Sequence, residues 1–165
     1  MKKLLLLDAD VIFDLHTLGL FEKIVKSYDI HVTKAVLDQA NYFKREEKRY
    51  KIDIRGNIKI IEDVDLENLK IVQQEAKEAR LGIDPGELES IACLFSTDTM
   101  TFCSCDKAAI KLIAFMQLEG RSMSLENALR QTGQQKPLYP RHLEKSFKEC
   151  IKEGKALRIQ FKKLV

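Results

Sequence analysis

The sequence predicts an α/β fold in which a mostly parallel sheet carries helices on both faces. Short apolar segments alternate with amphipathic stretches along the chain, which is the order of repeated strand and helix units. The 165 residues are 45% hydrophobic and 32% charged, a size and composition typical of one globular domain. We therefore expect residues 1–165 to form a single domain.

The first half of the chain contains three predicted strands. Residues 4–8 are a continuous apolar run that ends in an acid, which is typical of a buried strand, and helical spacing begins after Asp10. Residues 30–33 predict a second strand followed by an amphipathic helix, and residues 58–61 predict a third strand.

Two helices are predicted in the middle of the chain. Residues 66–81 form an amphipathic stripe, and Gly82 is expected to stop that helix. The next helix has a clear start, with Asp84 as the N-cap, Pro85 at the first helical position and Glu87 at the third.

The second half predicts one more strand and further helices. Residues 101–105 are the fourth strand, and Asp106 can cap a helix that runs towards Gly120. A short helix is expected to open at Ser124 and end near Gly133.

The C-terminal segment predicts a helix and an extended tail. An amphipathic helix is expected from about Leu143 to a stop at Gly154. Apolar residues alternate from residue 157 to residue 161, which predicts an edge strand or a partner-binding extension.

Charge, cysteine content and hydropathy exclude several classes of protein. A net charge of +3 does not by itself identify a nucleic-acid-binding protein. The four cysteines lack the paired spacing of a zinc site, so we expect buried thiols. The apolar run at residues 4–7 is too short for a signal peptide or a membrane span, and we expect a cytoplasmic protein without a membrane partner.

Three acids at or just beyond the ends of apolar segments are the main candidates for chemistry, and each has a structural alternative. Asp8 and Asp106 can cap helices or bind a metal ion. Asp10 lies two residues after Asp8, and capping the helix needs only one of these two acids. Glu87 can complete a capping box, but it also lies on the apolar stripe of its helix.

These carboxylates predict a site for a hard divalent cation if they meet. The carboxyl ends of parallel strands point to one edge of a sheet, so acids at those ends tend to converge. Their mutual repulsion favours Mg²⁺ or Mn²⁺, which take oxygen ligands and keep several waters. Such an ion supports phosphodiester hydrolysis because it activates water and stabilises charge on phosphoryl oxygens.

A basic stretch with neighbouring aromatic residues is the candidate RNA-contacting surface. Its cations and aromatic ring supply phosphate contacts and base stacking. The alternative is a solvated helix end. The candidate residues are Lys44, Arg45, Lys48, Arg49 and Tyr50.

Four segments in order resemble the PIN domain, a nuclease module found in toxins of the VapC type and in RNA-processing proteins. They are residues 5–12 (LLLDADVI), 32–37 (VTKAVL), 86–92 (GELESIA) and 105–109 (CDKAA). The resemblance covers about residues 4–120. It implies a three-layer α/β/α fold with a mostly parallel sheet of four or five strands, and a metal-dependent endoribonuclease that uses Mg²⁺ or Mn²⁺.

The resemblance also assigns roles to single residues. Asp8 matches the first acid of the family pattern, Asp10 the polar residue two places on, Glu87 the central acid and Asp106 the late acid. It further implies an RNA substrate, and an antitoxin protein as the partner if the chain is the toxin of a toxin–antitoxin pair.

The chain departs from the family pattern at two places. The acid expected after the second strand is replaced by Gln39, so either the neighbouring Asp38 substitutes for it or metal affinity falls. Residues 121–165 form an extension that a minimal toxin lacks, and this extension can serve a homodimer or another partner.

Two other functions remain as alternatives. Residues 8–13 (DADVIF) partly resemble the nucleophile motif of haloacid-dehalogenase-like phosphatases, in which Asp8 would attack phosphorus and Asp10 would act as acid and base. That superfamily's glycine and threonine after the second Asp are missing here. The second alternative is a catalytically degraded PIN-like binding module, which the presence of Gln39 favours.

Overall fold

A five-stranded sheet forms the centre of the fold in a computed structural model that describes residues 2–46, 58–133 and 136–162, with the side chains of residues 41–46 left out. All neighbouring strands are parallel, and their order is β3-β2-β1-β4-β5. The strands are β1 (Lys3–Leu7), β2 (Tyr28–Thr33), β3 (Ile58–Ile61), β4 (Met100–Cys103) and β5 (Ser122–Met123).

Helices pack on both faces of this sheet, which confirms the predicted three-layer α/β/α fold. Two 3₁₀ turns, Glu119–Arg121 and Pro140–His142, complete the regular structure of the described residues. The helices are α1 (Ala9–Thr17), α2 (Phe21–Ser27), α3 (Lys34–Glu46), α4 (Leu66–Glu78), α5 (Pro85–Cys93), α6 (Lys107–Phe115), α7 (Leu125–Arg130) and α8 (Glu144–Phe161).

Strand β1 is buried on both faces because its side chains alternate between two apolar cores. Leu5 and Leu7 pack with residues of α1, α2, α3 and α7. Leu6 packs on the other face with residues of α4, α5 and α6. A strand covered on both sides has no polar face, which explains why residues 4–7 are a continuous apolar run.

A topological switch point lies between β1 and β4. These strands are neighbours, with Leu7 opposite Cys103. After β1 the chain enters α1 on one face of the sheet, and after β4 it enters α6 on the other face. Connections that leave in opposite directions open a crevice at the carboxyl ends of the strands, where α/β proteins bind their ligands.

Two predicted helices differ from the structure at their ends. The helical stretch after Asp10 is two helices, because Gly19 has a φ of 68° and breaks the chain direction after α1. The helix predicted over residues 66–81 ends at Glu78, and Arg80 rather than Gly82 takes the left-handed conformation, with a φ of 58°.

The prediction of an edge strand after Ala156 is wrong, because α8 continues through this segment to Phe161. Leu157 and Phe161, one helical turn apart, pack against the core, whereas Ile159 is 82% exposed. Gly154 does not stop the helix. It lets α8 approach α6 closely, since a Cβ atom there would lie 2.7 Å from the Cβ of Ala114.

Two further predictions concern cysteines and membrane segments. All four cysteines are buried and free, as expected from their spacing. In the part of the chain that the structure describes, no helix has both the length and the apolar character that a membrane crossing requires.

Candidate functional site

Asp8 is a buried carboxylate at the carboxyl end of β1. Its side chain is only 3% exposed. Oδ1 accepts a hydrogen bond from the backbone N of Ala9 at 2.7 Å, and Oδ2 accepts one from Oγ of Ser104 at 3.0 Å. Asp8 therefore caps α1 and at the same time lies in the crevice between β1 and β4.

Asp106 lies beside Asp8 at the end of β4. It caps α6 by accepting a hydrogen bond from the N of Ala109 at 2.9 Å. Its own backbone N donates to Oγ of Ser104 at 3.1 Å. Ser104 thus links the carboxylate of Asp8 to the backbone of Asp106, a role that no local sequence pattern indicates.

Glu87 approaches the same edge from the first turn of α5. It is 3% exposed, and its Oε2 accepts a hydrogen bond from the backbone N of Asp84 at 3.3 Å, the contact expected of a capping box. A carboxylate buried this deeply loses hydration that one backbone hydrogen bond does not replace. Glu87 therefore needs either a proton or a cation.

Gln39, rather than Asp38, lies against the start of α5. A Cβ atom at Gly86 would be 2.5 Å from Oε1 of Gln39 and 3.1 Å from Val36, so the glycine makes room for this amide. Asp38 is exposed on α3. The uncharged side chain consequently lies against Gly86, the residue before Glu87 in α5.

The acids interact electrostatically, which raises two pKa values. Burial, followed by the charges of Asp8 and Asp106, raises the pKa of Glu87 to about 9. Burial and the charges of Asp10 and Asp106 raise the pKa of Asp8 to about 6, against hydrogen bonds that lower it. The structure therefore brings Asp8, Glu87 and Asp106 within electrostatic reach of one another.

Asp10 lies at the outer side of this group, in the first turn of α1. Burial raises its pKa, and so do the charges of Asp14, Asp106 and Asp84, while Arg141 lowers it. Asp10 is half-buried, so it connects the buried acids to the surface.

The described residues supply no cation that pairs with these three acids. Among the described residues, no Lys, Arg or His nitrogen lies within 4.0 Å of the carboxylates of Asp8, Glu87 or Asp106. An all-oxygen donor set with excess negative charge fits Mg²⁺ or Mn²⁺.

The spacing of these carboxylates limits how such an ion can be held. Among the described residues, one group of His, Cys, Asp or Glu side chains has three ligand atoms within 4.8 Å of one another, and it is Asp14, Cys105 and His142. The carboxylates of Asp8, Glu87 and Asp106 are not that close together. An ion at Asp8, Glu87 and Asp106 would thus bind one or two carboxylates directly and reach the others through water. Mg²⁺ commonly keeps several waters in this manner.

The group of Asp14, Cys105 and His142 is buried beneath α1 and escaped the sequence analysis. Oδ2 of Asp14 lies 2.5 Å from Nε2 of His142 and accepts from Nε of Arg141 at 2.9 Å. Burial raises the pKa of Asp14, but the hydrogen bonds from His142 and Arg141 outweigh it, and the pKa is lowered.

This second group could also hold a metal ion, since thiolate, imidazole and carboxylate are common transition-metal ligands. Two features oppose that use. Arg141 already neutralises Asp14, and burial raises the pKa of the Cys105 thiol, which disfavours the thiolate that a metal needs. The contacts are those of an ion-pair network that ties the C-terminal segment to α1.

One sequence signal could have found Asp14. It falls on the apolar stripe of α1, three residues after Val11 and next to Leu15, where a buried acid requires a partner. The partner itself is 128 residues away, at His142, so no local pattern indicates it.

The predicted RNA-contacting residues lie outside the described part of the structure. This applies to the side chains of Lys44 and Arg45 and to the whole of Lys48, Arg49 and Tyr50. The surface formed by these residues stays a prediction.

No model of a known protein family matches the chain, and no curated protein matches its sequence. The resemblance to the PIN domain therefore stays a prediction from the four motifs.

Proposed function

We propose that this chain is a divalent-metal-dependent ribonuclease that hydrolyses phosphodiester bonds of RNA. One observation carries the proposal. The buried carboxylates of Asp8 and Glu87 share the switch-point crevice with Asp106, and no described basic side chain compensates them. Such a group of acids is costly to ionise without a cation.

Each acid has a role in this proposal. Asp8, Glu87 and Asp106 hold Mg²⁺ or Mn²⁺, directly or through water, and Asp10 extends the site towards the surface. Ser104 keeps the Asp8 carboxylate oriented through its 3.0 Å hydrogen bond. The bound ion supplies an activated water and neutralises charge on the phosphoryl group. A bound cation would lower the pKa values of Asp8 and Glu87 and so favour their ionised forms.

The biological setting follows from the sequence resemblance alone. We propose RNA in the cytoplasm as the substrate and a PIN-like ribonuclease as the protein class. We further propose an antitoxin protein as a partner, and a homodimer formed through residues 121–165.

Cleavage of RNA by the purified chain tests the proposal. Labelled single-stranded RNA should be cut with Mg²⁺ or Mn²⁺ and left intact in EDTA. Asp8→Asn and Glu87→Gln should each lower the rate by about 100-fold or more, the scale of losing transition-state charge stabilisation. Asp65→Asn makes the same chemical change at an exposed N-cap of α4 and should leave the rate unchanged. Cleavage that survives Asp8→Asn would reject the proposal.

A catalytically degraded PIN-like binding module is the second candidate, because the neutral Gln39 lies against Gly86 at the start of α5. Metal binding without RNA cleavage would favour it. Release of phosphate from small phosphomonoesters without RNA cleavage would instead favour a haloacid-dehalogenase-like phosphatase.

A further inference from the structure

We propose that Tyr139 and Arg141 form a nucleotide subsite for single-stranded RNA at the rim of the acidic site. This inference rests on the proposed ribonuclease function and assigns it a substrate contact. The two residues flank Pro140 in the C-terminal segment, and together the three line a surface cavity of about 370 Å³.

The position of Arg141 connects this cavity to the acids. Its guanidinium pairs with Asp14, which lies one helical turn after Asp10 on α1. Arg141 therefore joins the cavity to α1, the helix that carries Asp10, and its guanidinium has further N–H donors for a phosphate.

The exposed parts of both side chains suit a nucleotide. The side chain of Arg141 is 48% exposed although it is anchored to Asp14, so donor groups remain available to a phosphate. Tyr139 is 41% exposed, and the guanidinium carbon of Arg141 lies 5.5 Å from its ring centroid. An aromatic ring next to an arginine can stack a base and bind the adjoining phosphate.

The backbone that carries the pair is held in place before any ligand binds. The N of His142 donates to the carbonyl of Tyr139 at 2.9 Å, and Oγ of Ser146 donates to the carbonyl of Pro140 at 2.8 Å. The His142 ring is 1% exposed and contacts Asp14, which anchors the turn to α1. A rigid subsite loses little conformational entropy on binding.

The subsite also gives residues 121–165 a role in binding the substrate. The segment delivers Arg141 to Asp14 on α1, the helix that begins directly after Asp8. It thereby supplies the side chains that recognise substrate, while the sheet supplies the acids.

Equilibrium binding of labelled oligouridylate in EDTA tests the subsite separately from cleavage. Arg141→Ala should weaken binding about tenfold and reduce the salt dependence by about one phosphate contact. Arg141→Lys should retain that salt dependence. Tyr139→Ala should weaken binding about tenfold to the normal oligonucleotide, but should leave an abasic oligonucleotide of equal charge unaffected.

Arg130→Ala is the matched control, since Arg130 is an exposed arginine paired with Glu126 on α7, and its removal should leave binding unchanged. Thermal melting of every variant identifies any loss of RNA binding that comes from unfolding. Tyr139→Ala tests the subsite without removing the ion pair between Arg141 and Asp14. Equal effects of Arg141→Ala and Arg130→Ala, or loss of abasic binding in Tyr139→Ala, would overturn the subsite. RNA binding that depends on both residues without any cleavage would reject only the ribonuclease.

Discussion

Ser104 donates a hydrogen bond from its Oγ to Oδ2 of Asp8 at 3.0 Å, and this contact joins the ends of β4 and β1. The same Oγ accepts from the backbone N of Asp106 at 3.1 Å. One hydroxyl thus fixes the spacing of two acids that are far apart in the sequence. The proposed metal site depends on this link as well as on the acids themselves.

Replacing Ser104 by alanine should destabilise the fold and raise the pKa of Asp8. The hydroxyl lowers that pKa, and a hydrogen bond to a charged group contributes about 1.5–3 kcal/mol. Chemical denaturation near neutral pH measures the loss. Ser122→Ala is the control, because Ser122 donates to a neutral carbonyl, that of Glu119, and should cost less. Equal losses in the two variants would show that the charge of Asp8 is unimportant.

The stability of the metal-free chain should fall as the pH rises. The pKa of Glu87 is about 9 in the folded chain against an ordinary value of 4.5, so the unfolded chain releases this proton first. The free energy of unfolding therefore decreases between these two pH values, and Asp8 contributes in the same direction between 3.8 and about 6.

Comparison with Glu87→Gln isolates this effect from other titrating groups. In EDTA at about pH 8.5 the variant should melt higher than the native chain, by roughly 2–4 °C for each kcal/mol of stability that the raised pKa of Glu87 removes, and at about pH 4.5 the difference should vanish. Glu67→Gln, at an exposed position on α4, should show no such pH dependence. Added Mg²⁺ should stabilise the native chain more at the higher pH. A variant that melts lower at both pH values would contradict the pKa of Glu87.

Gln39→Glu should restore an acid beside α5 and strengthen metal binding. The new carboxylate would lie against Gly86, which precedes Glu87, so it adds negative charge at the start of α5. We expect Mg²⁺ affinity to rise about tenfold, which corresponds to about 1.4 kcal/mol, while the metal-free chain becomes less stable. Calorimetric titration measures the affinity. Gln74→Glu, exposed on α4, carries the same change and should have no effect. Unchanged affinity in Gln39→Glu would place residue 39 outside the metal site.

Gly154→Ala should destabilise the packing of α8 against α6. The added Cβ would lie 2.7 Å from the Cβ of Ala114 and 2.9 Å from the Cα of Lys111, so the helices must move apart. Overpacking of this kind costs about 1–3 kcal/mol, which thermal melting detects. Gly120→Ala meets no atom within 4 Å and serves as the control. Equal melting temperatures of the two variants would contradict a close approach of α8 to α6 at Gly154.

The sequence predicted the elements whose signals are local. Four strands follow from short segments rich in apolar residues, and the start of α5 follows from Asp84 and Pro85. Strand β5 has two residues, too few for any periodicity to be recognised. The course of α8 beyond Gly154 depends on its contact with α6, and no local pattern distinguishes a glycine that packs closely from one that ends a helix.

The residues of the candidate site also separate into those with a local sequence signal and those without one. Strand ends and helix starts indicated Asp8, Glu87 and Asp106 as candidates. The contacts of Ser104 and His142 join residues 96 and 128 positions apart, respectively, so they require the folded chain. The choice between Asp38 and Gln39 also needed the structure, because adjacent helical residues point in different directions.

Binding of Mn²⁺, followed by electron paramagnetic resonance, tests the metal site most directly. The native chain and Cys105→Ala should bind the ion with similar affinity, whereas Asp8→Asn and Glu87→Gln should each weaken binding at least tenfold. Cys105→Ala removes a ligand from the alternative group with Asp14 and His142. Binding that is lost in Cys105→Ala and retained in Asp8→Asn would contradict a metal site at the switch point.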